Sequence, residues 1–241
     1  MGFDAMSQND VKKIGLFPLT AHILPGGRMQ LRVFEPRYMR LVRESLRNQQ
    51  GFGLCMLNPN GDLTTNQHIY SVGTLVKVID FESLDDGYLG ITIVGEQLFD
   101  IQSIVTEKDG LRVGEVVLRN PAITSSEHGA TPSTDTTNNG ASTTTTISAD
   151  NSEAAAVASS DECELKRRLQ EVFANYPEFA SLYPEQNFDD ANWVCNRWLE
   201  ILPLQAETKQ ELLNQEDAPQ LQAFLRQLFE ENSNEDTNYA S

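Results

Sequence analysis

The chain has 241 residues, of which 39% are hydrophobic and 22% are charged, and these values are typical of a globular protein with one or two domains. Eighteen lysines and arginines against 35 acidic residues give a formal net charge of -17. Because nucleic acids and anionic membranes attract dense positive charge, this balance argues against a dedicated binder of either one.

The N-terminal residues and the cysteines bear on the cellular compartment. Residues 1–10 are polar and include acidic side chains, so they do not resemble a signal peptide. The three cysteines, Cys55, Cys163 and Cys195, are odd in number and widely spaced, which argues against a disulfide framework. No apolar run approaches the roughly 20 residues needed to cross a bilayer. We therefore expect a cytoplasmic protein without a membrane partner.

The acidic charge is concentrated in the second half of the chain. Residues 1–123 hold 12 basic against 14 acidic side chains, whereas residues 124–241 hold 6 against 21. Residues 124–160 contain 17 Ser or Thr among 37 residues, and this composition cannot offset the entropy lost on ordering. We predict a β domain at 1–123, a flexible Ser/Thr-rich linker at 124–160 and a helical unit at 161–241. The linker is either a passive tether or a regulatory phosphorylation segment.

Alternating and β-branched runs predict that residues 1–123 form mainly strands. In chain order these runs are Ile14–Leu19, Arg28–Phe34, Phe52–Leu57, Val72–Phe81, Tyr88–Val94, Leu98–Thr106 and Leu111–Leu118. Turn residues at 85–87 and 108–110 indicate two hairpins. Many strands joined by hairpins favour a small β-barrel or curled sheet over a parallel sheet.

One helix is predicted inside the β domain, at Pro36–Asn48. Pro36 suits the first helical position, because an N–H there would have no partner within the helix. The spacing of the apolar residues predicts a single buried stripe. Its members are Tyr38, Leu41, Val42, Ser45 and Leu46.

After residue 160 the apolar period changes to about 3.6, which predicts helices. They are expected at Asp161–Ala174, Asp189–Leu202, Ala206–Leu213 and Ala218–Phe229. In the second of these, Ala191, Val194, Trp198 and Ile201 form the apolar face, with Asp189 or Asp190 as the N-cap. Short connections between amphipathic helices predict a small bundle, in which Trp193 and Trp198 pack in the core or at a domain interface.

Three stretches together resemble the N-terminal domain of the Lon protease family. They are Leu16–Leu19 (Leu-Phe-Pro-Leu), Leu24–Tyr38, and Ile201–Leu204 (Ile-Leu-Pro-Leu) followed by Lys209–Leu213. The chain is similar to the stand-alone bacterial members, which carry this domain without the rest of the protease. The resemblance covers most of the chain outside the Ser/Thr-rich segment. It implies an α+β fold: a PUA-like mixed β pseudo-barrel with one helix, followed by a C-terminal helical bundle.

The motifs required for catalysis do not occur in the sequence. An ATP-driven unfoldase needs a phosphate-binding loop that contains a Gly-Lys pair, and no such pair occurs. Nothing matches the Ser–Lys proteolytic dyad of the family. The three histidines, His22, His68 and His128, are scattered, with no Cys or carboxylate at the spacing of a metal site. We therefore expect no enzyme activity, no cofactor and no bound metal.

Two features are candidate polypeptide-binding sites. The first is a group of arginines around Tyr38, comprising Arg28, Arg32, Arg37, Arg40, Arg43 and Arg47. Guanidinium groups pair with carboxylates and stack on aromatic rings, so this group would suit an acidic peptide or a partner's acidic face. The alternative is internal neutralisation by Glu35, Glu44 or the acidic helical unit.

The second candidate site is the loop Leu24–Gly27, which includes Pro25 and Gly26 and lies beside Phe17 and Pro18 in the predicted fold. Its glycines permit positive φ and the close approach of a ligand. The alternative is a turn that closes the barrel. An exposed edge of the sheet could also accept an extended peptide through main-chain hydrogen bonds.

These observations predict a non-catalytic module that recognises proteins or peptides, as an adaptor or substrate-binding factor in proteolysis or quality control. The expected partners are unfolded polypeptides or a partner protein such as a protease or chaperone. The alternative is an RNA-binding protein, because PUA-like barrels also serve that role. The net charge of -17 opposes RNA binding, and the arginine group keeps it open.

Overall fold

A computed structural model of the chain describes residues 11–85, 87–119, 164–214 and 218–238. The predicted linker at 124–160 lies outside the described residues, so the division into three parts remains a prediction. The strands are β1 (Val11–Leu19), β2 (Arg28–Val33), β3 (Phe52–Leu57), β4 (Ile69–Ser83), β5 (Leu89–Thr106) and β6 (Arg112–Leu118). The helices are α1 (Pro36–Asn48), α2 (164–175), α3 (Pro177–Ser181), α4 (Ala191–Ile201), α5 (Ala206–Asn214) and α6 (Ala218–Asn238).

The described strands form one mixed sheet in the order β2-β5-β4-β3-β1-β6. The β1–β3 pair is parallel, and the other pairs are antiparallel. Because β5 also pairs with β6, the strands β5, β4, β3, β1 and β6 close into a barrel. Among the described strands, β2 is not part of this barrel and pairs with β5 alone. The predicted fold class, a mixed β pseudo-barrel with one helix followed by C-terminal helices, is confirmed.

The strand β5 is continuous, whereas the sequence predicts two strands at Tyr88–Val94 and Leu98–Thr106. Residues 95–97 do not form a turn, because Gly95 exchanges main-chain hydrogen bonds with the 24–27 loop. The Gly95 N–H donates to the Gly27 carbonyl at 2.8 Å, and the Gly95 carbonyl accepts from the Gly26 N–H at 2.9 Å. The β4–β5 register shifts between Leu75, opposite Gln97, and Val76, opposite Gly95, which places a β-bulge in β5 at this point. The first part of β5 thereby extends beyond the barrel. We call β2 with residues 77–83 and 89–94 the distal sheet.

The helix α1 closes one face of the barrel. It buries Tyr38, Leu41, Val42 and Ser45 against strand residues such as Phe52, Ile91 and Ile93. Leu46, predicted as part of the buried stripe, is 39% exposed, because it lies in the last turn before Gln49 reverses the chain at φ 52°. The boundaries of α1 are those predicted.

The C-terminal helices have their own core around aromatic rings. Phe173 contacts Phe179, Tyr183, Phe188 and Trp193, with ring centroids 5.0–5.8 Å apart. The short helix α3 was not predicted from the sequence. Within α4, Asp190 is the N-cap and accepts hydrogen bonds from the Asn192 and Trp193 N–H groups at 2.9 and 3.3 Å. As predicted, Trp193 and Trp198 are packed in this core.

The helix α4 is buried on more than the predicted face. Of the predicted apolar face, Val194 and Trp198 are buried, whereas Ala191 and Ile201 are half-buried. The additional buried residues are Trp193, Cys195, Arg197 and Leu199. This occurs because α4 lies between the helical core and the 24–28 segment of the barrel, so that two sides of the helix are covered.

Candidate polypeptide-binding surface

The Leu24–Gly27 loop packs against α4, so a helix of the same chain covers the surface that was predicted to bind a ligand. The Leu24 N–H donates to Glu200 Oε1 at 2.5 Å, and Arg197 Nη2 donates to the Pro25 carbonyl at 3.2 Å. Gly26 has φ +78°, and a Cβ at this position would lie 3.3 Å from Trp193 Cδ1. The positive φ and the close approach therefore serve contact with α4. We call this loop, together with Arg197 and Glu200, the junction.

A buried ion pair lies at the centre of the junction. Arg197 has no exposed surface, and its Nη2 lies 2.7 Å from Glu200 Oε1. The guanidinium also lies over the rings of Tyr183 and Trp193, 5.6 and 5.4 Å from their centroids. A fully buried charge needs such partners, because its hydration is lost on folding.

Burial shifts the pKa values of the titratable groups at the junction. Desolvation raises the pKa of Glu200 to about 7, while Arg197 acts in the opposite direction. Desolvation, with the charges of Lys209 and Arg197, lowers the pKa of His22 to about 3. Burial also lowers the pKa of Lys209, whose Nζ donates to the Glu200 main-chain carbonyl at 3.3 Å. Of these groups, Glu200 joins the helices to the barrel through the Leu24 N–H, and Lys209 joins α5 to α4.

A second contact joins α5 to the barrel through a side-chain amide. Gln210 Oε1 accepts from the Val72 N–H at 3.2 Å, and its Nε2 donates to the Val72 carbonyl at 3.0 Å. This pair of bonds mimics the pairing of a neighbouring strand. Nearby, Arg119 pairs with Asp100 at 2.6 Å and donates to the Leu213 carbonyl at 2.5 Å. No local pattern points to Gln210, because a polar residue on an amphipathic helix is ordinarily solvated.

The predicted arginine group does not form one surface. Arg37 pairs with Glu35 at 2.6 Å and donates to the Gly110 carbonyl at 3.0 Å. Arg40 lies 2.9 Å from Asp109. It also pairs with Glu44, as the alternative proposed, and with Glu107. The β5–β6 turn, rather than the helical unit, thus supplies the additional acidic partners of α1.

The remaining predicted site residues are distributed between the core and the surface. Phe17 and Tyr38 are buried together in the barrel core, with ring centroids 4.1 Å apart. Arg43 is exposed on α1. Arg28 and Arg32 lie on β2, where the Arg32 guanidinium is 5.0 Å from the centroid of the Tyr88 ring. The structure therefore brings Arg28 and Arg32 to the distal sheet and places the others elsewhere.

The distal sheet exposes aromatic side chains at its far end. Phe81 is 62% exposed. It lies opposite Ile91 on β5, which is buried and in turn lies opposite the half-buried Leu31 on β2. Phe34, directly after β2, is 59% exposed, and its ring centroid lies 5.8 Å from that of Tyr88. Exposed aromatic residues of this kind are typical of interaction surfaces. Sequence reasoning missed Phe34 and Phe81, because strand aromatics are usually buried.

Among the described helices, none is both long enough and apolar enough to cross a membrane. Within the same residues, no group of three or more Cys, His, Asp or Glu side chains is arranged to hold a metal ion.

The fold combines a closed five-stranded barrel, with β2 added along β5, and C-terminal helices packed against it. The sequence model of the ATP-dependent protease La (LON) substrate-binding domain matches residues 13–228, so the chain belongs to this family. The resemblance seen in the sequence is thereby confirmed. No curated protein matches the chain.

Two solved structures are similar to the chain. The Lon N-terminal domain protein from Xanthomonas campestris is 26% identical, with a TM-score of 0.58 over 90% of this chain and 97% of that one. The N-terminal domain of Mycobacterium avium complex Lon protease is 14% identical, with a TM-score of 0.50 over 89% of this chain and 96% of that one. The second likeness is one of fold alone.

Proposed function

We propose that the chain is a non-catalytic module that recognises unfolded polypeptide through the distal sheet. The observation that carries this proposal is the exposure of Phe34 and Phe81 at the end of that sheet, 59% and 62% respectively. Aromatic side chains in water gain more than most others from contact with apolar segments of a partner. Unfolded polypeptides expose such segments, whereas folded proteins bury them.

Membership of the substrate-binding domain family supports this function. Because the matched family is a substrate-binding domain, the role we propose is that of an adaptor or substrate-binding factor for a separate protease or chaperone. The junction is the weaker candidate surface, because α4 already covers the Leu24–Gly27 loop. RNA binding is the weaker candidate, because carboxylates pair with Arg37 and Arg40 and reduce the positive charge that could attract RNA.

A binding titration with reduced, carboxymethylated α-lactalbumin tests the proposal, with native α-lactalbumin as the folded control. Phe34→Ser and Phe81→Ser are each expected to weaken binding about tenfold, because each removes an exposed aromatic anchor. The matched controls are Leu63→Ser and Val105→Ser, which change residues that are 67% and 55% exposed elsewhere on the molecule. They are expected to alter affinity less than about twofold. Equal losses in all four variants, or no binding by the unchanged protein, would contradict the proposal.

A further inference from the structure

The strand β2 lies at the edge of the described sheet and is paired on one side, with β5. Its register with β5 runs without a shift from Arg28 opposite Val94 to Val33 opposite Leu89. An edge strand with an uninterrupted register can template the addition of another strand.

Hydrogen bonds at one end of β2 show which main-chain groups point outward. The Arg28 N–H donates to the Tyr183 hydroxyl at 3.1 Å, so it points away from β5. Because main-chain groups alternate along an antiparallel strand, the N–H and carbonyl of Gln30 point in the same outward direction. The side chain of Gln30 is exposed, as expected for a position beside solvent. The Tyr183 hydroxyl therefore marks the point where an added strand would have to end.

The opposite edge of the distal sheet is less suited to strand addition. The β4–β5 register shifts between Val78 and Asp80, so Ile79 lies in a bulge. Bulges twist an edge away from a flat partner, and the acidic side chains of Asp80 and Glu82 are exposed beside this one. Of the two edges, β2 is the regular one.

We propose that an extended segment of the bound polypeptide adds to β2 as a further strand, between Tyr183 and Phe34. This inference rests on the proposed function and specifies how the polypeptide is held. On one face, the added side chains would continue the apolar row of Leu31 and Ile91. On the other face, they would lie beside Arg28, Gln30 and Arg32. The segment that fits best alternates apolar with acidic residues, because opposite charges on neighbouring strands attract each other.

The first test uses a fluorescent heptapeptide in which valine alternates with glutamate, and two N-methylated versions of it. One version is methylated on the valine amides and the other on the glutamate amides. In a strand, one of these sets faces β2 and the other faces solvent, so only one version should lose affinity, by about tenfold or more. Loss on glutamate methylation indicates an antiparallel strand, and loss on valine methylation a parallel one. Equal affinities for the two methylated peptides would overturn the proposal.

The second test changes the protein at Gln30. Gln30→Pro removes the outward N–H while sparing the bonds to β5, and proline is tolerated at such edge positions. It should weaken heptapeptide binding about tenfold, whereas the matched Gln30→Ala variant, which keeps the N–H, should bind within about twofold of the unchanged protein. Circular dichroism checks that both variants are folded. If Gln30→Pro unfolds the chain, the methylated peptides alone decide the matter.

The two proposals fail in different ways. If the chain binds neither carboxymethylated α-lactalbumin nor the heptapeptide, the proposed function fails and strand addition fails with it. If α-lactalbumin binds but the heptapeptide does not, or if Gln30→Pro and Gln30→Ala bind equally well, strand addition is wrong and recognition by aromatic contact stands.

Discussion

The junction and the distal sheet place charged and aromatic side chains in opposite environments. At the junction, the charged Arg197 and Glu200 are buried between the helices and the barrel. At the distal sheet, the aromatic Phe34 and Phe81 are exposed. Burying charge is costly and is tolerated where it fixes a specific arrangement. Exposed aromatic surface has no such structural use, so we relate the junction to assembly and the distal sheet to the recognition that we propose.

The largest expected effect is at the ion pair of the junction. Arg197→Ala leaves Glu200 buried without its cation and should lower the free energy of unfolding by about 3–5 kcal/mol in urea denaturation. Arg167→Ala is the control, because Arg167 makes ion pairs with Glu164 and Glu171 on the exposed side of α2, and exposed ion pairs contribute little to stability in water. Equal losses in the two variants would show that burial of the junction pair has no special role.

The amide of Gln210 should be the next most sensitive position. Gln210→Leu leaves the N–H and carbonyl of Val72 without their partners, which should cost about 2 kcal/mol and speed hydrogen exchange at the Val72 amide. Gln102→Leu, at an exposed position of β5, should change stability by less than about 0.5 kcal/mol. Unchanged exchange at Val72 in the Gln210→Leu variant would refute the strand-like contact.

Two glycines with similar backbone angles separate conformational strain from packing. Gly26 has φ +78° and contacts α4, whereas a Cβ at Gly87, with φ +79°, would meet nothing within 4 Å. Gly87→Ala should therefore cost about 1 kcal/mol from backbone strain alone. Gly26→Ala should cost about 1 kcal/mol more, because Trp193 and Arg197 must move. Thermal unfolding of both variants measures the difference, and identical costs would mean that the loop is loosely packed on α4.

The pH dependence of stability has opposite signs at Glu200 of the junction and at His22 beside it. The pKa of Glu200 is raised from 4.5 to about 7, so the stability that it contributes is present below pH 4.5 and is lost as the pH rises through 7. The pKa of His22 is lowered from 6.5 to about 3, so its contribution is present above pH 6.5 and is lost as the pH falls through 3.

Single variants should separate these two effects. Glu200→Gln leaves His22, so its free energy of unfolding should rise with pH between 4.5 and 6.5, by up to about 1.4 kcal/mol per pH unit. His22→Asn leaves Glu200, so its free energy of unfolding should fall over the same interval. Urea denaturation at three pH values gives the two slopes. Slopes of the same sign and size would show that these groups do not titrate as their burial implies.

The smallest effect on stability is expected at the distal sheet. Phe34→Ser should change the free energy of unfolding by less than about 0.5 kcal/mol, because the ring is mostly in water in the folded state. The same variant should weaken polypeptide binding, as proposed above. A large loss of stability would instead assign Phe34 a structural role.

Much of the fold could be predicted from the sequence, because local patterns determine it. Alternation predicted β2, a continuous apolar run predicted β3, and a proline at the first helical position predicted α1 with its observed boundaries. The continuity of β5 could not be predicted in this way. The strand continues through Gly95, which pairs with Gly26 and Gly27, and these residues are distant in sequence.

The candidate surface could be predicted less well than the fold. The sequence located Arg28 and Arg32 but missed Phe34 and Phe81, because exposure depends on where the helices leave the sheet uncovered. It also missed the burial of Arg197, since a charged residue on an amphipathic helix is ordinarily expected in solvent. Both errors concern tertiary contacts between segments distant in sequence, which no local pattern records.

The most direct test of the central claim is hydrogen exchange of the whole chain with and without carboxymethylated α-lactalbumin. If the distal sheet holds the polypeptide, the bound state should show slower exchange in residues 28–34 and 79–91, with no change in α4 and α5. Slower exchange confined to α4 and the Leu24–Gly27 loop, with the distal sheet unchanged, would contradict the account and make the junction the binding surface.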